Sequence, residues 1–360
     1  MTTALLAATR KGLFQLRHSG RNWRFANRAF LGEPVSMMLH DPRDGRLYAA
    51  LNLGHFGPKL HVSKDGGRKW KELPCPAFPK SDAPGAPAVL QLWALEPGGP
   101  KQKGRLWVGT IGGGLFRSDD HGQSWALVES LWNAPGREKW FGGGNDAPGI
   151  HSICVDPADP DRLVIGVSCG GVWASDDAGK SWACRGDGMF AAYMPPEQRG
   201  EPAVQDPHRV VQCPARTDTL WAQHHNGIFR TTDRGRRWRE VKTAKPSSFG
   251  FPVVVHPKDP DRAWFVPAIK DQQRIPVEGA VVVSRTTDGG KSFRVMRRGL
   301  PQKNAYDLVY RHALAIDDTG DWLAMGSTCG HLWLSSDQGE SWTMIEGHLP
   351  PIYALRFAEL

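Results

Sequence analysis

The chain has 360 residues, 40% of them hydrophobic, and a formal net charge of +8 from 45 basic against 37 acidic side chains. The basic residues are scattered, with local runs only at 234–239 and 294–298, so the concentrated stripe that nucleic acid binding needs is missing. No apolar run reaches membrane-spanning length, and the opening MTTALLAATRKG lacks the basic and apolar regions of a signal peptide. The six cysteines show no paired spacing, so reduced thiols and a cytoplasmic location are expected.

In chain order, ALLAAT, GLFQLR and WRFA read as three alternating strands ending near Trp23. One phrase then returns along the chain: SKDGGRKW from Ser63, SDDHGQSW from Ser118, SDDAGKSW from Ser175, TTDRGRRW from Thr231, TTDGGKSF from Thr286 and SSDQGESW from Ser335. A degenerate copy, LRHSGRNW, keeps only Gly20 and Trp23. The closing aromatics Trp23, Trp70, Trp125, Trp182, Trp238, Phe293 and Trp342 recur at roughly 50-residue intervals, the length of one four-stranded propeller blade with its loops. The expectation is one all-β domain, a seven-bladed β-propeller of four-stranded blades at 1–27 plus 352–359, 34–73, 88–128, 150–185, 208–241, 251–296 and 312–345. PIYALRFA, alone after the last phrase, would supply the strand missing from the first blade and close the ring.

Within the phrase, the aspartate and the Ser/Thr hydroxyl suit a turn that bonds its own backbone, the glycine suits a left-handed residue, and the aromatic re-enters the sheet. The chain thereby resembles the Asp-box (BNR-repeat) propellers of the sialidase-like and photosystem II assembly-factor-like superfamily. The pattern is complete at Ser118, Ser175, Thr286 and Ser335, while Lys69 and Arg237 replace the seventh-position hydroxyl in the copies from Ser63 and Thr231. The resemblance implies structural roles for Asp65, Asp120, Asp177, Asp233, Asp288 and Asp337. It leaves function open, since sialidases, xyloglucan-type glycosidases, sortilin-like receptors and assembly factors share the box.

Up-and-down strand order puts the boxes on one face with the turns between first and second strands. The opposite face receives the long connections 74–89, 129–151, 186–209 and 297–312 and an expanded turn at 267–280. There the sequence gathers His55, Asp146, His151, His208, His224, His225, Asn226, Lys270, Asp271, Arg274, Glu278, Tyr306, Asp307, Tyr310, Arg311, His312 and His331. Cys169 and Cys329 occupy matching turns there, whereas His40 and His256 sit beside Asp-Pro turns on the far side and read as structural.

Three chemistries compete for this set. A zinc-like divalent metal would draw on His151, His224, His225 and His312, with Asp146. Glycoside hydrolysis would need two carboxylates from Asp146, Asp271, Glu278 and Asp307, with Trp132, Trp140, Phe141 and Phe190 stacking on sugar; Arg274-Ile275-Pro276 repeats a short phrase of sialidases, but in a different place in the ring. A binding or assembly module without turnover is the third. The adopted reading is a site for a small anionic or hydroxylated, glycan-like ligand, hydrolase-like, in which His151, His225, Asp146, Asp271, Asp307 and Tyr310 react and His55, Asn226, Lys270, Arg274 and Arg311 bind. The alternative is a scaffold for a protein partner; neither membrane nor nucleic acid is expected as a partner.

Overall fold

The computed structural model describes residues 3–19, 22–81 and 83–360. Gly20 of the degenerate phrase lies outside the described residues, as do Met1, Thr2 and Arg21 of the first expected blade. Nearly all regular structure is antiparallel strand, because short runs rich in β-branched and aromatic residues alternate with Gly, Pro and Asp turns. Among the described residues no helix is long and apolar enough to cross a membrane. All six cysteines are free.

The strands divide into five four-stranded sheets and one eight-stranded sheet, which corrects the expected seven separate four-stranded blades. The difference arises where Gly149 pairs with Ile111, so that strand Gly149–Val155 joins strand Leu106–Ile111, which already pairs with Gln91–Pro97. Missing side chains allow this approach: a Cβ on Gly149 would lie 2.5 Å from the Trp93 ring, and one on Gly109 would lie 2.5 Å from the Ile150 carbonyl oxygen. Close backbone approach is a recurrent reason for glycine inside a strand.

The terminal strand Ile352–Glu359 pairs antiparallel with Thr3–Thr9 and forms the inner edge of the N-terminal sheet. Inner strands touch in cyclic order, from Ile352–Glu359 through Val35–Asp41, Gln91–Pro97, Gly149–Val155, Pro207–Cys213 and Gly250–Val255 to Leu314–Ile316 and back. The result is a propeller-like ring around a central channel. Its core lies between neighbouring sheets, filled by fully buried Trp107, Trp173, Trp221, Trp264 and Trp333. Each large ring removed from water stabilises the fold by roughly 2–3 kcal/mol or more.

The repeated phrase forms one turn six times. In the copy from Ser175, the Ser175 hydroxyl donates to Asp177 Oδ1 at 2.8 Å and accepts from Gly179 N at 2.8 Å. Asp177 also accepts from the Ser181 amide (2.9 Å) and hydroxyl (2.6 Å). The copies from Ser118, Thr286 and Ser335 repeat these bonds. Those from Ser63 and Thr231 keep only the amide contact at the seventh position. The residue before the glycine has positive φ in most copies, as at Ala178 (61°).

The Ser181 hydroxyl foremost, then its amide, hold Asp177 at a pKa of about 2. A carboxyl depressed in the fold contributes stability above its unfolded pKa of about 4, and that contribution fades as pH falls towards 2. Ser181→Ala is expected to raise the Asp177 pKa, read by carboxyl NMR titration; an unchanged value would assign the depression to the backbone amides and the Ser175 hydroxyl.

Candidate functional site

At the ring's mouth, on the face away from the repeated turns, lies a cavity of about 910 Å3. Every sheet contributes to its wall, through the starts of inner strands, the connections that precede them and the turns between second and third strands. Convergent polar groups within an apolar, concave setting are the usual form of a small-molecule site.

Asp206 is the most enclosed charge in the wall, on the segment leading into strand Pro207–Cys213. Its Oδ1 accepts from Ser168 Oγ and from Cys169 N, both at 3.1 Å. Its Oδ2 lies 3.5 Å from His208 Nε2 and 3.5 Å from His225 Nδ1. Burial alone would raise the Asp206 pKa, but the two imidazoles and Arg311 outweigh it and keep the carboxylate ionised well below the usual range. The His208 ring stacks on Phe251 with centroids 4.5 Å apart, and its Nδ1 donates to the Gly250 carbonyl at 2.6 Å. His225 sits in the tight turn after strand Arg216–His224, its amide donating to the Asp206 carbonyl at 2.9 Å. Tyr193 packs edge-on to the His225 ring at 5.1 Å and donates its hydroxyl to the Val204 carbonyl at 2.8 Å.

Arg311 forms a second centre. Its guanidinium carbon lies 4.9 Å from the Trp93 ring centre and 5.2 Å from that of Phe251. Its Nε is buried without a hydrogen-bond partner, and among the described residues no carboxylate lies within ion-pair distance of it. Arg274 approaches the Phe251 ring at 5.4 Å and pairs with Asp271 at 2.5 Å.

The structure brings Cys169, His208, His225, Asp271, Arg274, Tyr310, Arg311 and His312 to this cavity, and it places the other polar sequence candidates elsewhere. His151 is fully buried, with Nε2 donating to the Pro207 carbonyl at 2.7 Å and Nδ1 bonded to the Ser152 hydroxyl at 2.9 Å. His224 sits with Nε2 3.1 Å from the Asp206 amide and Nδ1 3.0 Å from the Asn226 amide, of which a neutral ring accepts one, and burial lowers its pKa to about 3. His312 lines the wall, but its Nε2 donates to the His151 carbonyl at 2.7 Å. These three histidines are therefore neutral struts of the channel. Of the sequence-derived metal set His151, His224, His225 and His312, only His225 belongs to a cluster of three converging ligand-type groups among the described residues.

Asp307 is buried and engaged by the Ser327 hydroxyl (2.5 Å) and His331 Nδ1 (2.6 Å), away from the cavity. Asn226 Oδ1 accepts the Ala192 amide at 2.8 Å. His55, Asp146, Lys270 and Glu278 are exposed outside the cavity wall, His55 against Phe56. Trp140 packs on Trp173, Trp132 on Phe78 and Arg137, and Phe190 is exposed; of the four aromatics only Phe141 lines the cavity.

Sequence reasoning missed Asp206 as a site residue and gave His208 no role. The signal was Asp206-Pro207-His208, an i, i+2 pair entering a strand, which points both side chains to one side. It was masked by the Asp-Pro turns at Asp41, Asp156 and Asp259-Pro260 nearby in other repeats.

No protein-family model matches the chain. Over 297 residues it is 24% identical to an oligoxyloglucan-reducing end-specific xyloglucanase of Emericella nidulans, covering 73% of the chain and 34% of that protein. Over 152 residues it is 28% identical to a xyloglucanase of Paenibacillus sp, covering 39% and 13%. The chain thus spans about a third of the length of one curated relative and less of the other. Among solved structures it superposes on the GH74 xyloglucanase from Xanthomonas campestris with a TM-score of 0.67 at 18% identity, over 96% of the chain and 52% of that one. YCF48 from Cyanidioschyzon merolae gives 0.55 at 16%, over 93% and 89%. At these identities the likeness defines the fold alone, an all-β propeller type.

Proposed function

We propose that the repeated turns are Asp boxes serving as scaffold, and that the cavity at the opposite mouth binds a small, anionic, hydroxylated ligand on which the protein acts as a glycosidase-like hydrolase. The observation that carries this reading is Arg311: a guanidinium flanked by two aromatic rings, without a carboxylate partner among the described residues, in the wall of the cavity. A cation so placed is completed by an anion arriving from outside, and a guanidinium fork suits a carboxylate or phosphate. Trp93, Phe141, Tyr193, Phe251, Tyr310 and Tyr353 offer ring faces and edges to the apolar side of a sugar. The xyloglucanase likeness supports a sugar-type ligand.

Asp206 and Asp271 are the carboxylates in the wall. Asp206 stays ionised, so it serves as an electrostatic stabiliser rather than as a proton donor. The test is thermal unfolding of the full chain with sugar acids (glucuronate, galacturonate) against glucose and xylose, followed by hydrolysis assays on the matching aryl glycosides. A saturable stabilisation by the acids alone is expected. Absence of a shift with every anion would overturn the reading.

One observation favours a second reading. Of the seven large hydrophobic side chains that are exposed among the described residues, Leu31, Phe56, Leu90, Phe190, Tyr193 and Tyr306 lie on the mouth face, Phe56 at 70% and Tyr306 at 63% exposure. Such a rim fits a peptide lying across the mouth. With the net positive charge, a labelled acidic peptide is the probe, and its binding should fall in the Phe56→Ser/Tyr306→Ser variant; no binding by the wild type discards this reading.

A further inference from the structure

We infer that Asp206, His208 and His225 form a binding site for one divalent transition metal of the zinc class, with an open coordination position facing the cavity. Asp206 Oδ2 stands 3.5 Å from His208 Nε2 and 3.5 Å from His225 Nδ1, and all three ligand-type atoms fall within 4.8 Å of one another. Bonds of about 2.0–2.1 Å in a tetrahedron put neighbouring ligand atoms about 3.4 Å apart, which matches both measured edges. Two histidines and one carboxylate are also a donor set that commonly leaves a position for water or substrate.

Two of the three ligands are held by an outer partner. His208 Nδ1 donates to the Gly250 carbonyl, which leaves the Nε2 lone pair directed at Asp206, and the ring plane is fixed by the stack on Phe251. Asp206 Oδ1 is occupied by Ser168 and Cys169 N, so Oδ2 is the free oxygen. The backbone bond from His225 to Asp206 sets the third ligand. A histidine whose far nitrogen donates to a carbonyl, beside a tethered carboxylate, is the outer-shell pattern of metal sites. Two electron-rich atoms facing each other at 3.5 Å call for a cation between them, a metal ion or a proton on Nε2. His151, His224 and His312 do not contribute, because each is already held through a ring nitrogen to a backbone group. The inference depends on the ligand reading above only for what occupies the open position, where Arg311 would favour an anionic oxygen.

The test is a zinc titration of chelator-treated full-length protein by competition with a chromophoric chelator, with cobalt substitution as the spectroscopic readout. One ion per chain and intense visible cobalt bands are expected. Asp206→Asn and His225→Ala should each abolish saturable binding, while His348→Ala, an exposed histidine away from the cavity, should not alter it. His225→Ala removes a partly exposed ring that makes no side-chain hydrogen bond among the described residues, so it keeps a folded reference if Asp206→Asn does not fold. Binding that fails to saturate at one ion, or that is the same in His225→Ala, overturns the site in favour of a proton between the groups. Sugar-acid stabilisation measured on the metal-free protein separates the two proposals: its survival without zinc binding removes the metal alone, and zinc binding without it removes the ligand reading alone.

Discussion

Arg43→Ala is expected to cost about 3–5 kcal/mol of folding stability, the scale for breaking one side of a buried ion pair. The Arg43 guanidinium grips Asp41 through Nε at 2.7 Å and Nη2 at 2.6 Å, and neither side chain is more than 8% exposed. The same guanidinium donates to the carbonyls of Gln102 and Arg105, both at 2.7 Å. Asp41 closes an inner strand of one four-stranded sheet, while those carbonyls belong to a turn of the eight-stranded sheet, so one side chain fastens two sheets together. Burial pushes the Asp41 pKa up and the Arg43 hydrogen bonds more than reverse it, leaving it low. The sign follows: in the wild type this contribution is present above the unfolded carboxyl pKa of about 4 and is lost as pH falls through the lower folded value. In the variant the backbone amide of residue 43 (3.0 Å) remains but the guanidinium no longer opposes burial, so the gap between the two proteins should be widest near neutral pH and narrow towards pH 4. Urea unfolding at both pH values measures it, and Arg43→Lys should fall between, since an ammonium keeps the charge but not the fork. A loss under about 1 kcal/mol at neutral pH would show that Asp41 is solvated once Arg43 is gone.

The repeated turns could be read from the chain because their chemistry is local. Ser175, Asp177, Gly179 and Ser181 bond one another within seven residues, so spacing alone specifies the turn. The pairing of Ile352–Glu359 with Thr3–Thr9 was readable for another reason, a first repeat one strand short. The fusion of two repeats into an eight-stranded sheet was not, because it depends on how closely Gly149 and Gly109 let two strands approach. A one-dimensional pattern carries no such distance. The same limit applied at the site. Face assignment sends Arg274, Arg311 and His225 towards the mouth, where they line the cavity, while His151 and His224 lie one layer deeper, with ring nitrogens against backbone groups. Asp206 gains its importance from partners in three sequence segments, Ser168, His208 and His225, which no local motif unites.

Arg311→Met is expected to remove sugar-acid binding while leaving the fold intact. The substitution keeps an unbranched side chain between Trp93 and Phe251, and it deletes a charge that has no carboxylate within ion-pair distance among the described residues; Asp206 loses the longer-range attraction of Arg311 but keeps His208 and His225. Its effect on the free protein should therefore be small and could be stabilising, since a lone cation held off water is costly. For the bound ligand the balance reverses. Truncating one side of an enclosed, hydrogen-bonded charge pair costs about 2–5 kcal/mol, which weakens binding roughly 30-fold or more. Arg274→Met should cost less, because that guanidinium is more exposed and already shared with Asp271. The ordering is the decisive readout in calorimetric titrations with the same uronate: Arg311→Met weakest, Arg274→Met intermediate, wild type tightest. Equal affinities in all three would place the anion outside this cavity, and a larger loss from Arg274→Met would move the anchoring role to the rim, where Asp271 then competes with the ligand for the same guanidinium.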